Sequence, residues 1–351
     1  MRVFHCDHCD QLLFFENVNC VRCGRALAYV PELRDLVSLD PLEGNLWRSP
    51  RAGRPLRLGQ NYATHDVCNV ALPADDPNAL CRSCRLTRTI PNLSKPANHR
   101  LWYDLEVAKR RLLFTLDTLG LPLTNRSEDP SGLAFEFLED VLTGHADGVI
   151  TVNIAEADDA ERVRRRVELG EPYRTLLGHF RHEIGHYYWD RLIRGSPRID
   201  AFRSLFGDER ASYDAALHRH YSGAPAGWQD RYVSAYATMH PWEDWAETWA
   251  HYLHMADTLE TASACGFSLN PARADEPALS QVPDPTGGPV SFERMMDDWG
   301  AITYVLNNLN RGLGNGDAYP FVLAGPTVEK LRFVHETMPR PRFVRQSRSL
   351  I

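Results

Sequence analysis

The sequence lacks long apolar runs and an excess of positive charge. It contains no stretch of about 18 consecutive apolar residues, the length a membrane helix needs. Residues 1–6 also lack the apolar core of a signal peptide. The net charge of −7 argues against nucleic acid as a main partner. We therefore expect a cytoplasmic protein without membrane partners, in which thiols stay reduced.

The chain does have enough apolar residues for a core, and its cysteines are concentrated near one end. Of its 351 residues, 43% are hydrophobic, which predicts a sizeable core and two domains. Seven of the eight cysteines lie within the first 84 residues. In a reducing compartment, closely spaced cysteines more often bind metal than form disulfides.

The first cysteines form two close pairs. Cys6 and Cys9 make one C-x-x-C turn, and Cys20 and Cys23 make another. Two such turns supply the four thiolates of a structural zinc site, with an apolar strand at 12–15 between them. The pattern predicts a zinc ribbon, and the alternative is a set of redox-active pairs.

A second group of cysteines follows with one ligand fewer. Cys68 and the pair Cys81 and Cys84 offer three thiolates, and His65 is the natural fourth ligand. The pattern predicts a second structural zinc site. The alternative is that Cys68 is a small buried apolar residue and that no second metal binds.

Residues 182–186 read His-Glu-Ile-Gly-His, the H-E-x-x-H pattern. Apolar residues recur at three- and four-residue steps from 173 to about 193, which predicts a helix. His182 and His186 then face the same way and can share one zinc ion. Glu183 lies beside them as a candidate general base for a metal-activated water. The alternative is two ordinary histidines next to a solvated glutamate.

Periodicity and turn residues predict the remaining elements. We expect helices at 98–119, 201–206, 210–218, 241–263, 291–310 and 327–338. We expect strands at 135–142 and 148–154, joined by a turn at 143–147, with 149–154 as an edge strand that binds substrate. The expected domains are a zinc-ribbon region at 1–90, a second domain at 91–340 and a disordered tail at 341–351.

A catalytic zinc usually has three protein ligands and one open position. Asp190 lies on the same helix as both histidines, too far along to reach the same ion. Glu243 and Glu247 are better candidates, because they lie four apart on the next long helix. One can bind the metal while the other orients a ligand histidine, and the spacing leaves their order open. Alternatively, Glu243 and Asp244 only offset the positive end of the helix dipole.

Three segments, 81–86, 170–181 and 240–247, together with the E-x-x-x-E spacing, resemble a bacterial, gluzincin-like family of zinc-binding metallopeptidases with an N-terminal zinc ribbon. The resemblance implies an α+β fold, with ribbon modules before a mainly helical zincin-like domain with a small sheet. It implies that Glu243 is the metal ligand and that Glu247 orients a ligand histidine. It also implies a catalytic tyrosine at Tyr236, a role for which Tyr232 also qualifies. The family has a cysteine where this chain has residues 59–61.

Together these features predict a zinc-dependent metallopeptidase that acts on peptide or protein substrates. It would hold one catalytic zinc and one or two structural zinc ions. The competing interpretation is a catalytically silent scaffold stabilised by zinc. A site with three protein ligands favours the enzyme, whereas a fourth side chain on the metal favours the scaffold.

Overall fold

The computed structural model describes residues 2–168, 171–221, 223–280, 282 and 290–339. The expected disordered tail at 341–351 lies outside these residues. The chain forms two compact units. The first unit comprises Met1–Leu113 and Thr124–Phe180, and the second comprises Phe114–Leu123 and Arg181–Ile351. The expected domain limits, 1–90 and 91–340, stay a prediction.

The protein is α+β, as predicted, with a strand-rich N-terminal region followed by mainly helical structure and a small sheet. The strands are β1 Phe4–His5, β2 Leu12–Leu13, β3 Ala26–Val30, β4 Asp35–Pro41, β5 Leu46–Arg48, β6 Leu56–Leu58, β7 Ala71–Pro73, β8 Thr87–Thr89, β9 Ala134–Leu138, β10 Gly144–Ala146 and β11 Val149–Asn153. The helices are α1 Gln60–His65, α2 Arg82–Arg85, α3 Ala97–Thr118, α4 Asp159–Glu168, α5 Leu176–Leu192, α6 Ile199–Phe206, α7 Tyr213–His220, α8 Pro241–Ala264, α9 Phe292–Gly312 and α10 Gly325–Thr337.

The strands of the described residues form three sheets. Strands β1 and β2 make a two-stranded hairpin, and β3 to β7 make a five-stranded antiparallel sheet in chain order. The third sheet has the order β10-β11-β9-β8, in which β9 is parallel to both neighbours. The five-stranded sheet was not predicted, because its strands are short and several are only three residues long.

The predicted turn at 143–147 is wrong, because β10 lies within it. Ala146 pairs with Val149, so only Asp147 and Gly148 connect β10 to β11. Both connecting residues have positive φ, 47° and 81°, as a tight two-residue hairpin requires. The Asp-Gly dipeptide is a strong hairpin signal, and it marks the position that the sequence analysis missed.

The expectation that 149–154 forms an edge strand is also wrong. Strand β11 is antiparallel to β10 on one side and parallel to β9 on the other. Its backbone groups are therefore used within the sheet and cannot bind an extended substrate. The edges of this sheet are β10 and β8.

Most of the predicted long helices are confirmed to within a few residues, namely α3, α5, α6, α8, α9 and α10. Helix α7 begins three residues later than predicted, because the Ser212 hydroxyl accepts a hydrogen bond from the Ala215 amide and caps the first turn. Helix α4 was not predicted. It has no buried residue, and Val163 and Val167 are its only large apolar side chains, too few to mark a helix.

Aromatic side chains form the core of the second unit. The indoles of Trp245 and Trp249, one turn apart on α8, lie 5.5 Å apart and are fully buried. Tyr188 of α5 stacks on Trp249 at 5.1 Å, and Phe333 of α10 meets Trp245 edge-on at 6.1 Å. Helix α8 is thus packed between α5 and α10, which fixes the rotation of α8 about its axis.

Across the described ranges, no helix combines the length and the apolarity needed to cross a membrane.

Candidate metal centre

Helix α5 presents two histidines from successive turns. His182 and His186 are four residues apart, and their rings lie 4.9 Å apart at an interplanar angle of 80°. Their Nε2 atoms are separated by 3.2 Å. His186 is nearly buried, with 3% of its surface exposed, and Trp242 covers its ring at 4.0 Å. The helix therefore directs two imidazole nitrogens at one point.

The first turn of α8 brings a carboxylate to the same point. Pro241 is the first residue of the helix, and the His240 side chain caps it by accepting a hydrogen bond from the Trp242 amide. Glu243 follows, with its Oε2 2.9 Å from His182 Nε2 and 3.3 Å from His186 Nε2. The structure thus brings the side chains of His182, His186 and Glu243 into contact.

These three atoms have the spacing of zinc ligands. Zinc holds nitrogen and oxygen ligands at about 2.0–2.1 Å, so two corners of its tetrahedron are about 3.3 Å apart. The separations of 2.9, 3.2 and 3.3 Å come close to that value. Among the described residues, no fourth histidine, cysteine or acidic ligand joins the group. The residues fit a zinc ion with three protein ligands.

Glu247 lies one turn further along α8 and contacts the far side of the same ring. Its Oε1 is 2.7 Å from His182 Nδ1. Its other oxygen accepts a hydrogen bond from the Ser234 hydroxyl at 2.5 Å. A carboxylate in this place fixes the tautomer of a ligand histidine, so that Nε2 is free to bind metal.

Electrostatic interactions couple the protonation of Glu243 to that of His182. Burial by itself would raise the pKa of Glu243, but the charges and hydrogen bonds of His186 and His182 keep it well below its usual value. Burial would lower the pKa of His182, but hydrogen bonds to Glu243 and Glu247 raise it well above the usual value. A bound cation would take over the role of the His182 proton.

Glu183, the second residue of the motif, is 7% exposed. Burial raises the pKa of its carboxyl group, the two neighbouring histidines oppose the shift, and Glu243 and Glu247 add to it. Within the described part of the chain, its side chain has no hydrogen-bond partner. A buried carboxylate that is not engaged elsewhere can accept a proton from a nearby water.

Two tyrosines face the group, and the sequence pointed to only one of them. Tyr213, at the start of α7, donates a hydrogen bond from its hydroxyl to Glu243 Oε1 at 2.8 Å. The ring of Tyr236 lies 5.8 Å from that of His182. Tyr232, the alternative to Tyr236, instead carries Lys330 Nζ 4.2 Å from its ring centre. No local pattern marks Tyr213, because its partner is thirty residues away in sequence.

Asp244 follows Glu243 but is not part of the metal group. Its Oδ2 lies 2.6 Å from Lys330 Nζ of α10, and both side chains are buried. Burial raises the pKa of Asp244 to about 7, and the Lys330 charge opposes the shift. The Lys330 ammonium also donates to the Arg231 carbonyl at 2.9 Å. This pair ties the first turn of α8 to α10 and leaves Glu243 to the histidines.

The four cysteines of the first two pairs meet in the N-terminal region. The Sγ atoms of Cys6 and Cys23 are 3.8 Å apart, and those of Cys9 and Cys20 are 3.6 Å apart. Sulfurs on a tetrahedral zinc, at about 2.3 Å from the ion, are about 3.8 Å apart. Burial would raise the pKa of Cys20, but the Cys23 and Arg22 amides lower it to about 6. The four thiols fit a structural zinc ion.

The second cysteine group contains three of its four predicted members. Cys68, Cys81 and Cys84 have sulfur atoms within 4.8 Å of one another. His65 is not in this group. It is the last residue of α1, its ring lies 5.3 Å from that of Trp102, and its carbonyl is 2.7 Å from His99 Nε2. The structure thus does not bring His65 to the thiols.

Comparison with known proteins gives two family matches. Residues 98–337 match the family described as "Putative zinc-binding metallo-peptidase", and residues 3–95 match a zinc-ribbon domain. Uncharacterized proteins of Mycobacterium bovis and Mycobacterium tuberculosis are 47% identical over 343 residues, covering 95% of this chain and 94% of theirs. No solved structure matches the chain.

Proposed function

Since the chain belongs to this family of zinc-binding metallo-peptidases, we propose that it hydrolyses peptide bonds in peptide or protein substrates. His182, His186 and Glu243 are the proposed zinc ligands. Glu183 is the proposed general base, and Glu247 orients His182.

One observation carries the proposal. The ligand atoms of the two histidines and Glu243 lie within 3.3 Å of one another, and no fourth ligand joins them among the described residues. Three protein ligands and one open corner are typical of catalytic zinc, whereas structural zinc has four protein ligands. The buried, unengaged carboxylate of Glu183 beside this group supports the same conclusion, because a structural site has no use for a base.

Zinc held by His182, His186 and Glu243 would supply Lewis acidity, which would lower the pKa of a water molecule toward 7 and polarise the substrate carbonyl. Glu183 accepts the proton of the attacking water and then delivers it to the nitrogen of the leaving amine. The raised pKa of Glu183 brings it nearer to neutral pH, where a group can both accept and return a proton. Tyr236 is the proposed donor to the oxyanion that develops on the substrate.

The test is a comparison of Glu183→Gln with the wild-type protein, using peptide-library cleavage with and without chelator. We expect Glu183→Gln to keep its zinc and to hydrolyse peptides about 10²–10⁴-fold more slowly, the usual contribution of a general base. Zinc content is measured on the same samples by elemental analysis.

Asp190→Asn is the matched control, because Asp190 also lies on α5 and pairs with Arg194 rather than with the metal group. Its hydrolysis rate should equal that of the wild type. A zinc-loaded Glu183→Gln protein that is as fast as wild type would refute the assigned base. A wild-type protein that retains zinc but cleaves no library peptide would instead support the silent scaffold.

A further inference from the structure

The group of Cys68, Cys81 and Cys84 is buried in the core of the first unit. All three residues are at most 2% exposed. The Sγ atoms of Cys68 and Cys81 are 3.8 Å apart, far beyond the length of a disulfide bond and close to the spacing of two thiolates on one zinc ion. The Cys84 amide donates to Cys81 Sγ at 3.4 Å. The chain therefore presents three sulfurs to one point.

No fourth ligand reaches this point from the described residues. His65 packs against Trp102 instead. Gly59 lies beside Cys81. A Cβ atom added at position 59 would lie 3.7 Å from the Cys81 Cβ and 3.3 Å from the Val70 carbonyl oxygen. Glycine brings no ligand atom to this side, so the described part of the chain provides three thiolates.

A buried arginine lies close to Cys68, one of the three thiols. Arg110 of α3 is 4% exposed, and its Nη1 donates to the carbonyl of Val67, the residue before Cys68. Its charge acts favourably on the Cys68 thiolate. Among the described residues, Arg110 has no carboxylate partner, and its Nε has no hydrogen-bond partner. A buried cation without a counter-charge is costly, so an anion is expected beside it.

We propose that Cys68, Cys81 and Cys84 bind one divalent thiophilic cation, zinc, as a three-thiolate centre whose excess negative charge is balanced by Arg110. Three thiolates and a divalent cation leave one negative charge, which the guanidinium neutralises. Four thiolates would leave two negative charges, and neutral thiols without metal would leave Arg110 uncompensated. The centre thus differs from the four-cysteine site in ligand number and in its dependence on an arginine.

The test uses the full-length protein loaded with cadmium-113, whose NMR signal depends on the number of sulfur ligands. We expect one resonance typical of four thiolates, from Cys6, Cys9, Cys20 and Cys23. We expect a second, separate resonance typical of three thiolates. Cys68→Ser should abolish the second resonance and leave the first unchanged.

The role of Arg110 is tested by comparing Arg110→Met with Arg110→Lys. Loss of the charge should weaken cadmium retention at the three-thiolate centre about 10–100-fold in chelator competition, as for other residues that support a metal ligand. Arg110→Lys should restore most of the retention. Arg111→Gln is the control, because Arg111 is the next residue of α3 but pairs with Glu16.

Three outcomes would overturn the proposal. One is a pair of four-thiolate resonances, and another is loss of the second resonance in His65→Ala, which would make His65 a ligand. The third is unchanged cadmium retention in Arg110→Met. Should Arg110→Met fail to fold, the resonances of the wild-type, Cys68→Ser and His65→Ala proteins still decide the ligand number.

Discussion

The two oxygens of Glu243 have different partners. Oε2 lies near both histidine Nε2 atoms, while Oε1 accepts the hydrogen bond of Tyr213. A carboxylate divided in this way has one oxygen for a metal and one held by the protein. In the proposed zinc site it would therefore supply one ligand atom and leave a fourth position for water or substrate.

Tyr213→Phe should therefore weaken zinc binding about tenfold, because a group that orients a metal ligand contributes on that scale. The measurement is chelator competition on the purified protein. Tyr236→Phe is the matched variant, since Tyr236 faces the same group without a bond to Glu243. It should keep the wild-type zinc affinity and lose about 10²–10³-fold in kcat, as expected for an oxyanion donor. Equal zinc affinities in wild type and Tyr213→Phe would contradict the assigned role.

His251 is a buried histidine on α8 outside the metal group. Its ring meets that of Phe321 at 4.4 Å, and its Nδ1 lies 2.7 Å from the Tyr319 hydroxyl oxygen. Burial lowers the pKa of His251 to about 4 from an ordinary value near 6.5. The folded protein therefore keeps this histidine neutral where the unfolded chain would protonate it.

The lowered pKa predicts a loss of stability in acid. The stabilising contribution is complete above pH 6.5 and is lost as the pH falls toward 4, because the unfolded chain then binds the proton more readily. The loss should be on the order of 3 kcal/mol at full extent. Denaturant unfolding at several pH values should show a shallower decline for His251→Gln. The exposed His218→Gln should decline as steeply as the wild type, and equal slopes for all three proteins would refute the prediction.

At the scale of secondary structure, the metal group depends on the close packing of α5 and α8. Gly185 lies between the two histidines, and a Cβ atom there would lie 3.1 Å from Ala246 Cα and 3.2 Å from Trp249 Cβ. The Trp245 indole also donates to the Gly185 carbonyl at 2.8 Å. The absence of a side chain at 185 lets α8 approach closely enough for Glu243 to meet the histidines.

Gly185→Ala should push the two helices apart. We expect a destabilisation of about 1–3 kcal/mol from overpacking, measured by denaturant unfolding. Zinc affinity should fall about tenfold, because the ligand set is spread over both helices. Gly300→Ala is the control on α9, where no atom lies within 4 Å of the added Cβ. It should be neutral or stabilising by up to about 1 kcal/mol. Unchanged zinc affinity in Gly185→Ala would show that the helix contact does not set the site.

At the scale of the whole molecule, the described residues form candidate metal groups of two chemical kinds. The N-terminal groups consist only of cysteine sulfurs, whereas the group in the second unit has two imidazoles and one carboxylate. Thiolates carry more charge and bind zinc in closed, structural sites. Loss of a structural zinc ion also unfolds the polypeptide around it.

Graded chelation should therefore act in two stages. Low chelator concentrations should remove zinc from His182, His186 and Glu243 and abolish hydrolysis, while the cysteines of the N-terminal groups stay protected from alkylation. Higher concentrations should expose Cys6, Cys9, Cys20 and Cys23 and lower the melting temperature. The measurements are zinc content, peptide hydrolysis and alkylation followed by mass spectrometry. Simultaneous loss of activity and cysteine protection would contradict the prediction.

The sequence by itself determined what depends on short spacings. Helical periodicity places His182 and His186 on one face, and each C-x-x-C turn brings its two cysteines close together. The proline at 241 and the apolar stripe after it mark α8 almost to the residue. These features were predictable because each is set by neighbours within two turns or one hairpin.

Only the tertiary structure decided which distant groups meet. The E-x-x-x-E spacing left open which of Glu243 and Glu247 is the metal ligand. The rotation of α8 against α5 and α10 brings Glu243 to Nε2 and Glu247 to Nδ1 of His182. Likewise, packing brings Arg110 of α3 to the carbonyl of Val67, the residue before Cys68, while His65 lies against Trp102 and outside the group of three thiols. These partners are tens of residues apart in sequence. Core packing sets the distance between them, and no local sequence pattern predicts it.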